Sequence, residues 1–88
     1  MDVKQAVTSA RTHLVDVFSD DLVSQPTLEE VWFDDIAKEW CVTFGLKRTR
    51  SGAALGALVL PFDFKVVRLA AQDGKPISIR DRSIARDQ

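Results

Sequence analysis

Apolar residues recur along the first eighteen positions with the period of an α-helix. At about 100° per residue they fall in one arc of ~120°, the usual width of a stripe that faces a core. Asp2 followed by Gln5 is typical of a helix start, and Ser19-Asp20-Asp21 is expected to end the helix. The only histidine, His13, lies at the border of the stripe. The stripe consists of Val3, Ala6, Val7, Ala10, Leu14, Val17 and Phe18.

The period changes to two after Pro26, which predicts strands. Residues 27–34 are rich in apolar and aromatic side chains, and residues 39–47 alternate cleanly. Residues 34–38 between them form the expected hairpin loop. Pairing Phe33 with Trp40 sets Val31 beside Val42 on one face and therefore Trp32 beside Cys41 on the other. The first face of the second strand holds Trp40, Val42, Phe44 and Leu46; the second holds Cys41, Thr43, Gly45 and Lys47.

A second hairpin is predicted from residues 62–71 and 76–80. Its turn signal is Asp73-Gly74, since glycine readily adopts the left-handed conformation that such turns need. Strand parity places Val67, Leu69, Ile77 and Ile79 on one face, and Phe64 and Val66 on the other. The whole pattern predicts an α+β fold, in which an N-terminal helix packs on a four-stranded antiparallel sheet in an α-β-β-β-β meander. Leu14 and Phe44 are expected to face each other across the helix–sheet interface.

Length and composition predict one domain. The chain has 88 residues, and we expect a single domain over 1–82, an apolar insertion at 48–61 and a frayed tail at 83–88. No apolar run approaches the roughly 20 residues that span a bilayer. The first residues lack the order of a signal peptide, and the one cysteine excludes an internal disulfide. These features favour a cytoplasmic protein without membrane contact.

Charge is segregated along the chain. Residues 1–44 hold nine acids and three bases, whereas residues 45–88 hold four acids and nine bases. One interpretation is that the two halves attract each other when they pack. The other is a bipolar surface that orients a partner.

Residues that could carry out catalysis are sparse. His13 and Cys41 could in principle form a nucleophile–base pair, but nothing in the sequence activates it. One histidine and one cysteine cannot complete a zinc tetrad. Glu29 and Glu30 point to opposite faces of a strand, and the adjacent pair at 34 and 35 is expected to solvate a turn. We therefore predict no catalytic residue, no metal site and no cofactor, so the protein is not expected to be an enzyme.

The segment Phe64-Lys65-Val66-Val67-Arg68-Leu69-Ala70-Ala71-Gln72-Asp73-Gly74-Lys75-Pro76-Ile77-Ser78-Ile79 resembles the end of the small PepSY-type domain. Gly74 matches the turn glycine of that family and Ile77 its core leucine. The sequence departs at Ala70, where the family tends to carry aspartate, and at Pro76, which suggests an edge strand. The resemblance covers about residues 3–46 and 62–80, and it implies binding or inhibition without a catalytic site. Cystatin-like proteins share the helix-on-sheet layout, so the fold does not select a function.

The sheet face away from the helix is unusually apolar in this interpretation. A one-sided sheet should be polar there, yet the face is predicted to carry a tryptophan and several other apolar residues. Either the segment 53–60 folds over it or another chain covers it. The predicted partner-binding residues are Trp32, Cys41, Phe64 and Val66 on the face, Leu55 and Leu58 in the insertion, and Lys47, Arg48 and Arg50 as rim contacts.

The sequence thus predicts a small non-enzymatic protein-binding module, such as an inhibitor, an immunity protein or an accessory subunit of a bacterial complex. Its partner would be a different protein or a second copy, bound through the outer sheet face and the 48–61 segment. The alternative is a nucleic-acid-binding accessory protein that uses the basic second half. That half lacks interleaved exposed aromatic residues, so nucleic acid is not the expected partner.

Overall fold

One helix and four strands follow each other along the chain in a computed structural model that describes residues 1–47 and 63–82. The strands form one antiparallel sheet in the order β1-β2-β3-β4, with α1 packed on one face, which confirms the predicted α+β fold. The insertion 48–61 and the tail 83–88 lie outside the described residues. The elements are α1 (Val3–Phe18), β1 (Thr27–Asp34), β2 (Glu39–Leu46), β3 (Asp63–Ala70) and β4 (Pro76–Asp81).

Helix α1 begins and ends where the sequence predicts. The Asp2 side chain accepts a hydrogen bond from the Gln5 amide (2.8 Å), and the Gln5 side chain accepts one from the Asp2 amide (2.9 Å). Val3 and Val17 belong to the apolar stripe but are about half exposed. They lie in the first and last turns, so the sheet covers the middle of the helix more completely than its ends. No helix within residues 1–47 and 63–82 has the length and hydropathy to cross a membrane.

The core lies between α1 and the sheet. Leu14 and Phe44 are both fully buried in it, as predicted. Arg11 closes one side of this core: its guanidinium lies 5.1 Å from the centre of the Phe44 ring and donates to the Pro26 carbonyl, which ties the helix to the start of β1. The buried apolar members of the core are Ala6, Ala10, Leu14, Val42, Phe44, Leu46, Val67 and Leu69.

Strand register follows the prediction in the first hairpin. Phe33 pairs with Trp40, and Trp32 pairs with Cys41. Glu29 is an extra residue in β1, because the register shifts between Leu28 and Glu30.

The second hairpin departs from strict alternation at Ile77. Arg68 pairs with Ser78 but Leu69 pairs with Pro76, so Ile77 has no single partner. Its side chain is 52% exposed, and the prediction that it belongs to the core is therefore wrong. The bulge breaks the period-two rule from which that prediction came. Gly74 in the turn has φ +74°, which confirms the predicted left-handed glycine.

Candidate functional site: the outer face of the sheet

The outer face is the sheet face that points away from α1. Pairing across the strands brings Trp32 beside Cys41, and Thr43 beside Val66. Four of the predicted partner-binding residues therefore share this face, as strand parity indicated. In full, the outer face consists of Glu30, Trp32, Asp34, Glu39, Cys41, Thr43, Gly45, Phe64, Val66, Arg68, Ala70, Ser78 and Arg80, followed by Arg82 just beyond β4.

Arg68 joins three side chains at the centre of the outer face. It lies directly opposite Cys41 in the register, and its Nη1 donates to Cys41 Sγ at 3.0 Å. Its Nε donates to Glu39 Oε1 at 2.8 Å and its Nη2 to Asp34 Oδ2 at 2.7 Å. One guanidinium from β3 therefore connects β1 and β2, and it satisfies two carboxylates together.

Arg82 makes a second connection across the face. Its backbone amide donates to the Phe64 carbonyl (2.8 Å), which continues the pairing of β3 and β4. Its Nη1 reaches Thr43 Oγ1 at 3.1 Å and also pairs with the Glu30 carboxylate. A side chain from one edge of the sheet thus reaches a carboxylate on the opposite edge strand.

These contacts shift the protonation of the central groups. Hydrogen bonds from the Ala37 amide and from Arg68 lower the pKa of Asp34, whose Oδ1 also accepts from the Ile36 amide. The hydrogen bond to Asp34 raises the pKa of Arg68. Burial raises the pKa of the Cys41 thiol, although the charge of Arg68 opposes this shift. The thiol therefore stays protonated near neutral pH, and a protonated thiol is a poor nucleophile.

The outer face is more polar than the sequence analysis predicted. Cys41 and Thr43 are fully buried, and each accepts a hydrogen bond from an arginine rather than presenting an apolar surface. Strand parity alone could have revealed Arg68, because it lies two residues after Val66. Arg82 gave no such signal, because it follows the predicted end of the last strand at residue 80.

Trp32 is the most exposed large apolar side chain of the outer face. It is 45% exposed, whereas Phe64 and Val66 are half-buried. Lys47 is exposed just after β2. The remaining predicted partner contacts, Arg48, Arg50, Leu55 and Leu58, lie outside the described residues, so both explanations for what covers this face stay open.

Cys41 and His13 lie on opposite sides of the sheet. His13 belongs to α1, which packs on the inner face, whereas Cys41 contacts Arg68 on the outer face. The two side chains therefore cannot share a proton. Within residues 1–47 and 63–82, no group of three or more histidine, cysteine or acidic residues could hold a metal ion.

Ion pairs connect the acidic and basic halves of the chain. Arg68 pairs with Asp34 and Glu39, and Arg82 pairs with Glu30. In each pair the acid comes from the first half and the base from the second. The interpretation that the two halves attract each other is therefore confirmed for these residues.

No family model, no curated protein and no solved structure matches this chain.

Proposed function

We propose that this protein is a small non-enzymatic protein-binding module whose binding surface is the outer face. The observation that carries the proposal is Trp32, a large aromatic side chain that is 45% exposed on the face that α1 leaves free. Tryptophan is among the commonest anchors of protein interfaces. A single exposed apolar residue needs no explanation, but Trp32 shares its face with the half-buried Phe64 and Val66.

The arginine network supports this use of the face. Arg68 and Arg82 are held by carboxylates of β1 and β2, so their side chains are ordered before a partner arrives. An ordered surface loses less conformational entropy on binding than a mobile one. Charged groups around an aromatic anchor also exclude water from its contact and set the orientation of the partner.

The chemistry of the central residues supports a non-enzymatic role. The only cysteine is buried with a raised pKa, and the only histidine lies across the sheet from it. The resemblance to PepSY-type domains favours an inhibitor, an immunity protein or an accessory subunit of a bacterial complex. We further propose that it acts in the cytoplasm, where a single reduced thiol is stable.

The geometry favours a protein over nucleic acid as the partner. Three basic side chains of the second half, those of Lys65, Arg68 and Arg82, are already paired with carboxylates. Such bases do not attract phosphates as free cations do.

The test replaces the tryptophan and follows capture of the partner. Tagged protein is used to capture partners from its native host, and the affinity of the captured protein is then measured. Trp32→Asp should weaken binding by about 30-fold or more, or about 2 kcal/mol, because it removes the anchor. Circular dichroism should show an unchanged fold, since Trp32 is not part of the buried core.

Val17→Asp is the matched control, because Val17 is also about half exposed but lies on α1. It should leave the affinity within about threefold of the original protein. Equal losses in both variants would contradict the proposal, as would a monomer that captures nothing.

A further inference from the structure

Among residues 1–47 and 63–82, β1 has a neighbouring strand on one side only, and its other side is the free edge of the sheet. Strand order leaves β1 at one side of the sheet, with β2 as its neighbour. The Ala71 amide donates to the Lys38 carbonyl (3.0 Å), which shows which residues of β2 form hydrogen bonds with β3. Successive residues of an antiparallel strand direct their N–H and C=O groups to opposite sides. The backbone of residues 38, 40 and 42 therefore bonds to β3, and that of residues 39, 41 and 43 bonds to β1.

The same alternation identifies the groups on the open side of β1. The β1 partners of residues 39, 41 and 43 are Asp34, Trp32 and Glu30. The backbone N–H and C=O groups of Val31 and Phe33 therefore point outward from the free edge of the sheet.

Apolar side chains accompany these backbone groups on both faces of β1. Trp32 is exposed on the outer face, and Leu28 and Phe33 are about 40% and 36% exposed on the inner face. Monomeric proteins usually protect such an edge with charged side chains, with proline or with a bulge. Strand β1 contains no lysine or proline; its charged residues are all acidic, and its bulge at Glu29 leaves residues 30–34 as a regular edge.

The charge along this edge indicates the kind of segment that would bind to it. Residues 26–37, which contain β1, hold four aspartate or glutamate residues and no lysine or arginine. Two of the four, Glu30 and Asp34, are paired with Arg82 and Arg68 on the outer face. Glu29 and Asp35 are exposed at the two ends of the regular edge, and the Asp35 contact with Lys38 is an exposed pair of small worth. Pairing with β1 of a second copy would set these acids against each other, which is unfavourable.

We propose that the free edge of β1 binds an extended segment of another protein as an added strand, and that this segment is apolar at its centre and basic at both ends. Backbone groups of Val31 and Phe33 would bond to it, Trp32 would contact its apolar centre, and Glu29 and Asp35 would contact its basic ends. The inference rests on the proposed protein-binding function and adds the chemistry and the binding mode of the partner.

Three blocked peptides test the inference. The first is acetyl-Arg-Lys-Val-Thr-Val-Thr-Val-Lys-Arg-amide. The second replaces each base by an acid, and the third keeps the bases but has proline in place of the central valine, which prevents strand pairing. In ¹⁵N-labelled protein at 0.15 M salt, the first peptide should slow amide exchange of Val31 and Phe33 at least tenfold. The Trp32 amide should change little, because it already bonds to β2, and the other two peptides should protect neither site.

A pair of charge reversals tests the electrostatic part. Glu29→Lys with Asp35→Lys should weaken binding of the basic peptide at least tenfold. Asp16→Lys with Asp20→Lys changes the net charge by the same amount in α1 and just after it, outside β1. This control should change the affinity less than threefold, because exposed charges are screened beyond about 8 Å at this salt concentration.

Four results would overturn the inference. These are no binding of the basic peptide at 1 mM, binding without protection of Val31 and Phe33, equal binding of the three peptides, and a dimer whose β1 amides are protected without peptide. The proposed function has a separate readout. If the captured native partner depends on Trp32 but leaves the Val31 and Phe33 amides unprotected, the outer-face function stands and the edge inference fails. If the basic peptide protects both amides but Trp32→Asp retains the native partner, the edge inference stands and the outer-face function fails.

Discussion

Arg68 shows how one side chain can organise a sheet face. Its planar guanidinium donates along three directions, to Asp34, to Glu39 and to the sulfur of Cys41. Without it, two carboxylates would face each other with no cation between them, and the sulfur would lose its polar neighbour. Lysine could not replace it, because an ammonium group lacks the rigid fork that reaches three partners in one plane.

The reactivity of Cys41 should report on this arrangement. In the folded protein at pH 7.5, iodoacetamide should modify Cys41 slowly, because the thiol is buried and its pKa is raised. Arg68→Ala should speed modification at least tenfold, since access to the sulfur outweighs the lost positive charge. Mass spectrometry of timed samples gives the rates. Arg82→Ala, which removes a contact to Thr43 instead, is the control, and equal rates in the two variants would contradict the assignment.

Asp34 should make stability depend on acid pH. Its pKa is lowered in the folded protein, so it stabilises the fold at pH values above its ordinary pKa near 4. This contribution is lost as pH falls through the lowered value. Urea unfolding between pH 6 and pH 2.5 should therefore show a steeper loss in the original protein than in Asp34→Asn. Parallel curves for the two proteins would show that Asp34 is not the group responsible.

The sequence predicted which face of the sheet each side chain lies on, but not which partners the long side chains contact. Strand parity correctly placed Trp32, Cys41 and Val66 on one face. It could not show that Arg68 and Arg82 extend across the sheet and donate hydrogen bonds to Cys41 and Thr43. Long flexible side chains choose among several partners, and that choice depends on which carboxylates the folded sheet brings within reach.

At the scale of elements, the helix and sheet depend on each other through a small core. Leu14 contributes from α1, Phe44 from β2 and Val67 from β3, and all three are fully buried. In a chain of this size the free energy of unfolding is on the order of 5–10 kcal/mol, so one large core residue supplies much of it.

Phe44→Ala should therefore lower the free energy of unfolding by roughly 3–5 kcal/mol. Phe33→Ala is the matched control, because Phe33 is partly exposed and its ring contact is edge-to-face with Trp40, at 5.1 Å between centroids. It should cost about half as much or less. Urea denaturation measures both losses. A loss below about 1 kcal/mol for Phe44→Ala would mean that its burial is not what holds the helix to the sheet.

Elements were easier to predict than the irregularities within them. The capping box, the change of period after Pro26 and the turn at Gly74 each have a local chemical cause, and the corresponding boundaries were correct. The bulges at Glu29 and Ile77 have none in the sequence. They arise when two strands adjust their pairing to each other, which a pattern along one strand does not contain.

At the scale of the molecule, opposite charges separated in sequence meet across the sheet. The pairs of Arg68 and Arg82 with acids of β1 and β2 bridge residues 29 to 52 positions apart. They are partly exposed, with side chains up to about half accessible, so salt screens them in part. The same segregation leaves the region around β1 acidic.

Raising NaCl from 20 mM to 500 mM should lower the free energy of unfolding by up to about 1 kcal/mol. Arg82→Gln should show a smaller dependence, because its pair with Glu30 is already gone. Thr8→Ala is a suitable neutral control on the exposed side of α1. The free energy of unfolding is measured with urea, because urea is uncharged and leaves NaCl to set the ionic strength. An identical salt dependence in all three proteins would remove the ion pairs as its cause.

The sequential order of the strands has a consequence for how fast the chain folds. Four residues separate β1 from β2 and five separate β3 from β4, whereas sixteen separate Leu46 from its partner Asp63. Closing the longer loop costs about 1.2 kcal/mol more entropy than closing the four-residue one. The two outer hairpins should therefore form early, and the pairing of β2 with β3 should set the rate. Substitutions at that central pairing, such as Val42→Ala, should therefore slow refolding.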